Sequence, residues 1–91
     1  MTVIQKVAKE LQMKPKKLLE ASLELYLEQR LSKVESDIFL IAKKHGVKDV
    51  FEMDKKIKEG FIHENEGHDD FFILDNLEAE RDKIKTILDN L

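Results

Sequence analysis

Ninety-one residues, 38% charged and 42% apolar with a net charge of −3, make one domain. It is too rich in apolar side chains to be disordered, and at this size it buries only ~60–65% of the surface its unfolded form exposes, so a partner chain is plausible from the start. The absence of cysteine excludes a disulfide framework and thiolate chemistry. No apolar run approaches the ~18 residues of a membrane span, and the start alternates apolar and charged residues unlike a signal peptide, so a cytoplasmic protein without membrane contact is expected.

The charge is uneven. Residues 1–33 hold seven Lys/Arg against four Glu, a balance of +3; residues 34–91 hold nine against fifteen, a balance of −6. A basic front and an acidic rear suggest two surfaces with different partners.

In chain order, Thr2 and Gln5 form a T-x-x-Q capping box, which predicts a first helix from Thr2 with Val3, Ile4, Val7, Ala8 and Leu11 on its apolar face. Pro15 forces Lys14 out of helical geometry and suits the first position of a second helix. That helix is predicted from Pro15 to Lys44 or His45, with Gly46 as its stop. Its first half is apolar over more than half its circumference, at Leu18, Leu19, Leu23, Leu25, Tyr26 and Leu27. Its second half narrows to a heptad seam at Leu27, Leu31, Val34, Ile38, Ile41 and His45.

Asp49 and Glu52 open a short third helix, whose apolar face is expected at Val50, Phe51 and Ile57 and whose end is at Gly60. Residues 61–69 read as a loop. A last helix is expected over 71–90, capped by Asp69 or Asp70, with a stripe of Phe72, Ile73, Leu74, Leu77, Ile84, Ile87, Leu88 and Leu91. The expected fold is all-α: a short N-terminal helix, a long second helix, a short third helix and a C-terminal helix packed back as an antiparallel hairpin. In the expected register Leu31 meets Ile87/Leu88, and Ile41 meets Phe72/Leu74.

The hairpin uses the narrow seam but not the wide apolar surface before it. One short helix cannot cover that surface, so Leu18, Leu19, Leu23, Leu25 and Tyr26 are expected to form a homodimer interface. Burying four or five leucine-sized side chains there contributes on the order of 6–12 kcal/mol before association costs. The chain then divides into dimerisation helices over 1–30 and an acidic hairpin over 31–91.

The stretch AKELQMKPKKLLEASLELYLEQRL resembles the two-helix part of ribbon-helix-helix regulators, a family that includes many antitoxins. The resemblance implies a dimer whose second helix clamps a phosphate at its start. Lys14, Lys16 and Lys17 stand there as phosphate-contact candidates, where the helix dipole already favours an anion. It also implies a strand before the first helix, for which this sequence has almost no room. Met13 and Lys14 stand where a glycine-led turn is usual.

No catalytic residues are expected. The run FIHENEGHDD gathers His63, Glu64, Glu66, His68, Asp69 and Asp70, all metal-ligand types, but at no recognised ligand spacing; a polar loop is the expected outcome, with no metal and no cofactor. His45, beside Gly46, reads as a helix-end histidine favoured by the dipole. A hairpin this small leaves little room for a substrate cavity. The expectation is a non-enzymatic interaction module, antitoxin-like, whose acidic hairpin binds a protein partner such as a toxin. The alternatives are a DNA-binding transcriptional regulator using the basic helix pair, or a structural subunit of a helical assembly.

Overall fold

The computed structural model describes residues 1–91. It contains four helices, α1 (Val3–Glu10), α2 (Pro15–His45), α3 (Val50–Lys58) and α4 (Glu64–Asp89), and no strand. The architecture is the expected all-α one, with α4 folded back antiparallel along α2 and α3 at the turn end. No helix is long and apolar enough to cross a membrane.

The helix ends follow local chemistry. The Thr2 hydroxyl accepts from the Gln5 amide, and the Gln5 side chain accepts from the Thr2 amide. Asp49 caps α3 by accepting from the Glu52 amide at 2.8 Å. The first three helices all end the same way, with the chain passing through one left-handed residue and then bonding back one turn. Gly46 (φ 64) and Gly60 (φ 81) fill that position after α2 and α3, but after α1 it is Gln12 (φ 58). The bonds that close these ends are Met13 to the Ala8 carbonyl, Val47 to Ala42, and Phe61 to Lys56.

The core lies at the hairpin and its turn. Val34, Ile38 and Ala42 of α2 meet Leu74 and Ile84 of α4, with Val47, Val50, Met53 and Ile62 closing the end. Met53 and Leu74 are fully buried. Leu27, Leu31 and Ile41 flank this core as the heptad seam predicts. His45 ends the seam with its side chain only 6% exposed.

Four expectations need correction. First, α4 starts at Glu64, not at 71, so most of the expected 61–69 loop is helix. The His63 ring caps it by accepting from the Asn65 amide, Glu64 and Glu66 in its first turn suit the positive end of the dipole, and Gly67 is buried against Ile62 and Ile57. Second, the buried stripe of α4 runs through Gly67, Leu74 and Ile84, flanked by Phe71, Leu77 and Leu88; Phe72, Ile73, Ile87 and Leu91 remain exposed. The rotation of α4 against α2 turns Phe71 inward, so Phe72, the next residue, faces out. Third, Phe51 points to solvent, because α3 turns Val50 and Met53 to the core instead.

The fourth correction concerns register. Arg30 pairs with Glu80, which sets Leu31 level with the Glu80–Ile84 stretch and not with Ile87/Leu88. The expected pairing asked α4 to advance well over ten residues while α2 advanced ten, whereas two α-helices rise equally per residue.

Candidate interaction surfaces

The expected dimer residues lie on the first half of α2, beyond the core. Leu18 is half-buried; α1 packs on α2 and buries its own Ala8 fully. Leu19, Leu23, Leu25 and Tyr26 are exposed by 47%, 46%, 57% and 50%, and Val3 and Leu11 of α1 by 81% and 56%. The end of α4 reaches only the edge of this surface, where Ile87 shares a shallow depression with Tyr26 and Leu27. Leu19, Leu23 and Tyr26 share one side of α2, and exposed apolar side chains grouped in this way carry the usual mark of an interaction site.

The phosphate-contact candidates Lys14, Lys16 and Lys17 sit together at the start of α2, all exposed. Lys14 is the N-cap residue and makes no side-chain cap, and Pro15 supplies the first turn, so the following backbone N–H groups face solvent. No strand precedes α1 among residues 1–91, and Thr2 is committed to the capping box.

Sequence reasoning missed a second group of exposed apolar side chains. Phe39 and Leu40 of α2 are 62% and 63% exposed, off the seam that faces α4, while Phe51 and Phe61 are 81% and 77% exposed near the turn end. Phe72, also exposed, stacks edge-on with His68 and Phe71, with centroids 4.9 and 5.6 Å away. For Phe39 and Leu40 a signal was present, since neither falls on the 27-31-34-38-41 seam.

The FIHENEGHDD residues disperse rather than converge. His63 caps α4, His68 stacks on Phe72, and no three potential ligands assemble into a metal-holding group. Asp70, expected as a cap, instead faces back to α2. Its carboxylate accepts from His45 Nε2 at 2.7 Å and from Lys44 Nζ at 2.9 Å. The hydrogen bond from His45, then that from Lys44, holds the Asp70 carboxyl below the usual carboxylate range. The same contact with Asp70 raises the Lys44 ammonium above its ordinary value. This cluster ties the end of α2 to the start of α4; it borders no cleft suited to a substrate.

No curated protein and no solved structure matches the chain. A family model does match it, from residue 1 to residue 91, and the chain therefore belongs to the family described as Uncharacterized protein MJ0235 family.

Proposed function

We propose that this chain is a non-enzymatic protein–protein interaction module. Its head, residues 1–30, pairs with a second copy, and its acidic hairpin, residues 31–91, covers a basic protein partner in the manner of an antitoxin-like regulator. The observation that carries the reading is the uncovered apolar surface of the head, with Leu19, Leu23, Leu25 and Tyr26 each about half exposed. Two features support a second partner at the hairpin: the −6 balance of residues 34–91, and the solvent-facing Phe51 and Phe61, the residue type that anchors interface centres.

Sedimentation equilibrium tests the first part. The chain is expected to sediment as a dimer, and Leu25→Asp, which puts a carboxylate in the contact, as a folded monomer. A monomer for the unaltered chain at every concentration sinks the reading. Co-expression with the product of the adjacent reading frame tests the second part: a stable complex is expected, weakened when Phe51 and Phe61 are both changed to Ser.

A second reading, DNA binding by the basic head, is supported by the open, lysine-rich start of α2. It requires affinity for duplex DNA that falls steeply with salt and is abolished by Lys16→Glu with Lys17→Glu. No binding at low salt eliminates it.

A further inference from the structure

α2 carries two seams. The first faces α4 and is filled. The second runs along roughly the opposite side through Leu18, Leu25, Ser32 and Phe39, each seven residues from the last, with Ser22, Gln29 and Ser36 between them. Leu25, Ser32 and Phe39 are all exposed. Around its C-terminal half this second seam widens into a shallow groove. Ser32 and Ser36 make a low floor, Leu31, Phe39 and Leu40 make the apolar sides, and Glu28 and Glu35 stand at the rim. Small residues at these positions let another helix approach closely. Neither Glu28 nor Glu35 takes part in an ion pair within the chain.

The complement of this groove lies at the other end of the same helix. There Lys14 and Lys17 are exposed and equally without ion-pair partners, next to the large apolar Leu18. Two copies of α2 laid antiparallel with the two-fold axis near Leu25 bring these parts together. In that register Lys14 of the second copy is level with Ser36, one residue from Glu35, and Lys17 is level with Lys33, one residue from Ser32 and within the span between the two rim carboxylates. Leu18 of the second copy stands over the serine floor, large against small. Leu25 meets its own symmetry mate. The arrangement is isologous, so each contact occurs twice.

We propose that the groove between Glu28 and Leu40 is the seat for the start of α2 from a second copy, in an antiparallel dimer centred on Leu25. The proposal rests on the dimer reading above and adds to it a register and a second set of residues. It extends the interface from the head alone into the hairpin half of α2. It places Glu28, Glu35, Phe39 and Leu40 in the same contact as Lys14, Lys17, Leu18 and Leu25, and it narrows the head's share of the contact, because Leu19, Leu23 and Tyr26 lie on another side of α2 and stay outside it.

The chain has no cysteine, so single introduced thiols report the geometry without interference. Under mild oxidation Leu25→Cys is expected to give a disulfide-linked dimer, and Leu23→Cys is not. In sedimentation equilibrium at low salt, Glu28→Lys with Glu35→Lys raises the dimer dissociation constant by about tenfold or more, and Lys14→Glu with Lys17→Glu does the same; the four changes together restore it to within about threefold of the unaltered chain. Circular dichroism on each variant should show an intact helical fold, since the changes are at exposed positions. Cross-linking through Leu23→Cys but not Leu25→Cys, or a dimer indifferent to both charge reversals, overturns this register while leaving dimerisation standing. A chain that is monomeric throughout removes the dimer reading itself and this inference with it.

Discussion

His45 near the end of α2 and Asp70 in the second turn of α4 meet at 2.7 Å, with the imidazole side chain 6% exposed and the carboxylate 18%. They lie twenty-five positions apart in sequence and on opposite limbs of the hairpin. Lys44 adds a more exposed bond to the same carboxylate oxygen. The trio clamps the end of α2 to the start of α4.

Asp70→Asn is expected to destabilise the chain by about 1–2 kcal/mol at neutral pH, since it weakens hydrogen bonds to charged or polar donors in a partly screened site. The folded carboxyl titrates below its unfolded value, so its contribution is fully present above the unfolded value of about 4 and is lost as pH falls through the lower folded one. Urea melts of the two proteins should therefore converge in acid. A gap that persists at pH 2 would show that the loss is not carried by the ionised carboxylate.

A carboxylate also bridges α4 to α3. Glu78 accepts from the Val50 amide at 2.8 Å, satisfying a first-turn donor that the Asp49 cap leaves free. Glu78→Ala should cost about 1 kcal/mol, while Glu78→Gln, which keeps an acceptor oxygen, should cost clearly less. Thermal melts of the three proteins check this; equal losses for both variants would contradict the capping role.

Gly67 sits inside a helix, where alanine ordinarily gains about 1 kcal/mol. A Cβ there would come within 2.7 Å of Ile62 Cγ2 and 3.1 Å of Ile57 Cδ1. The Cγ2 branch of a buried isoleucine has little freedom to withdraw, so overpacking outweighs propensity. Gly67→Ala is expected to lower stability by about 1–2 kcal/mol. A raised melting temperature would mean that α4 moves away from α3 more easily than this packing implies.

Gln12 offers the opposite case. It holds the left-handed position after α1 that glycine holds after α2 and α3. Gln12→Gly relieves a backbone cost of about 1 kcal/mol and should make α1 more persistent. Amide hydrogen exchange in Val7–Met13 reads the effect directly, as greater protection in the variant.

The parts of this fold that depend on neighbours in sequence were legible before any coordinates. The Thr2–Gln5 box, the Asp49 cap, the break at Pro15 and the stop at Gly46 each declare themselves within a few residues. The Leu27–Ile41 seam was legible because its partner helix belongs to the same chain, so its apolar positions are uninterrupted. The start of α4 was not, for two physical reasons. Histidine is an uncommon cap, and Gly67 reads as a breaker until Ile57 and Ile62 are seen to need the space beside it. Phe51 and Phe72 misled for a simpler reason: in a short amphipathic segment adjacent apolar residues compete for one inward direction, and tertiary packing decides the winner. Of the candidate surface, the leucines at the head of α2 were evident from pattern alone. The outward seam was hidden because Ser22, Gln29, Ser32 and Ser36 fill four of its seven positions, and a heptad filled largely with polar residues leaves no hydrophobic period to detect.

The molecule measures 60 by 20 by 18 Å, with a radius of gyration of 19.1 Å where a compact chain of this length has about 12 Å. Drag scales with length more than with mass in such a rod. A single copy therefore tumbles and migrates like a globular protein of considerably greater mass, and a sizing column overstates its bulk. Two rods lying side by side about Leu25 gain girth faster than length, so pairing roughly doubles the mass while adding comparatively little friction.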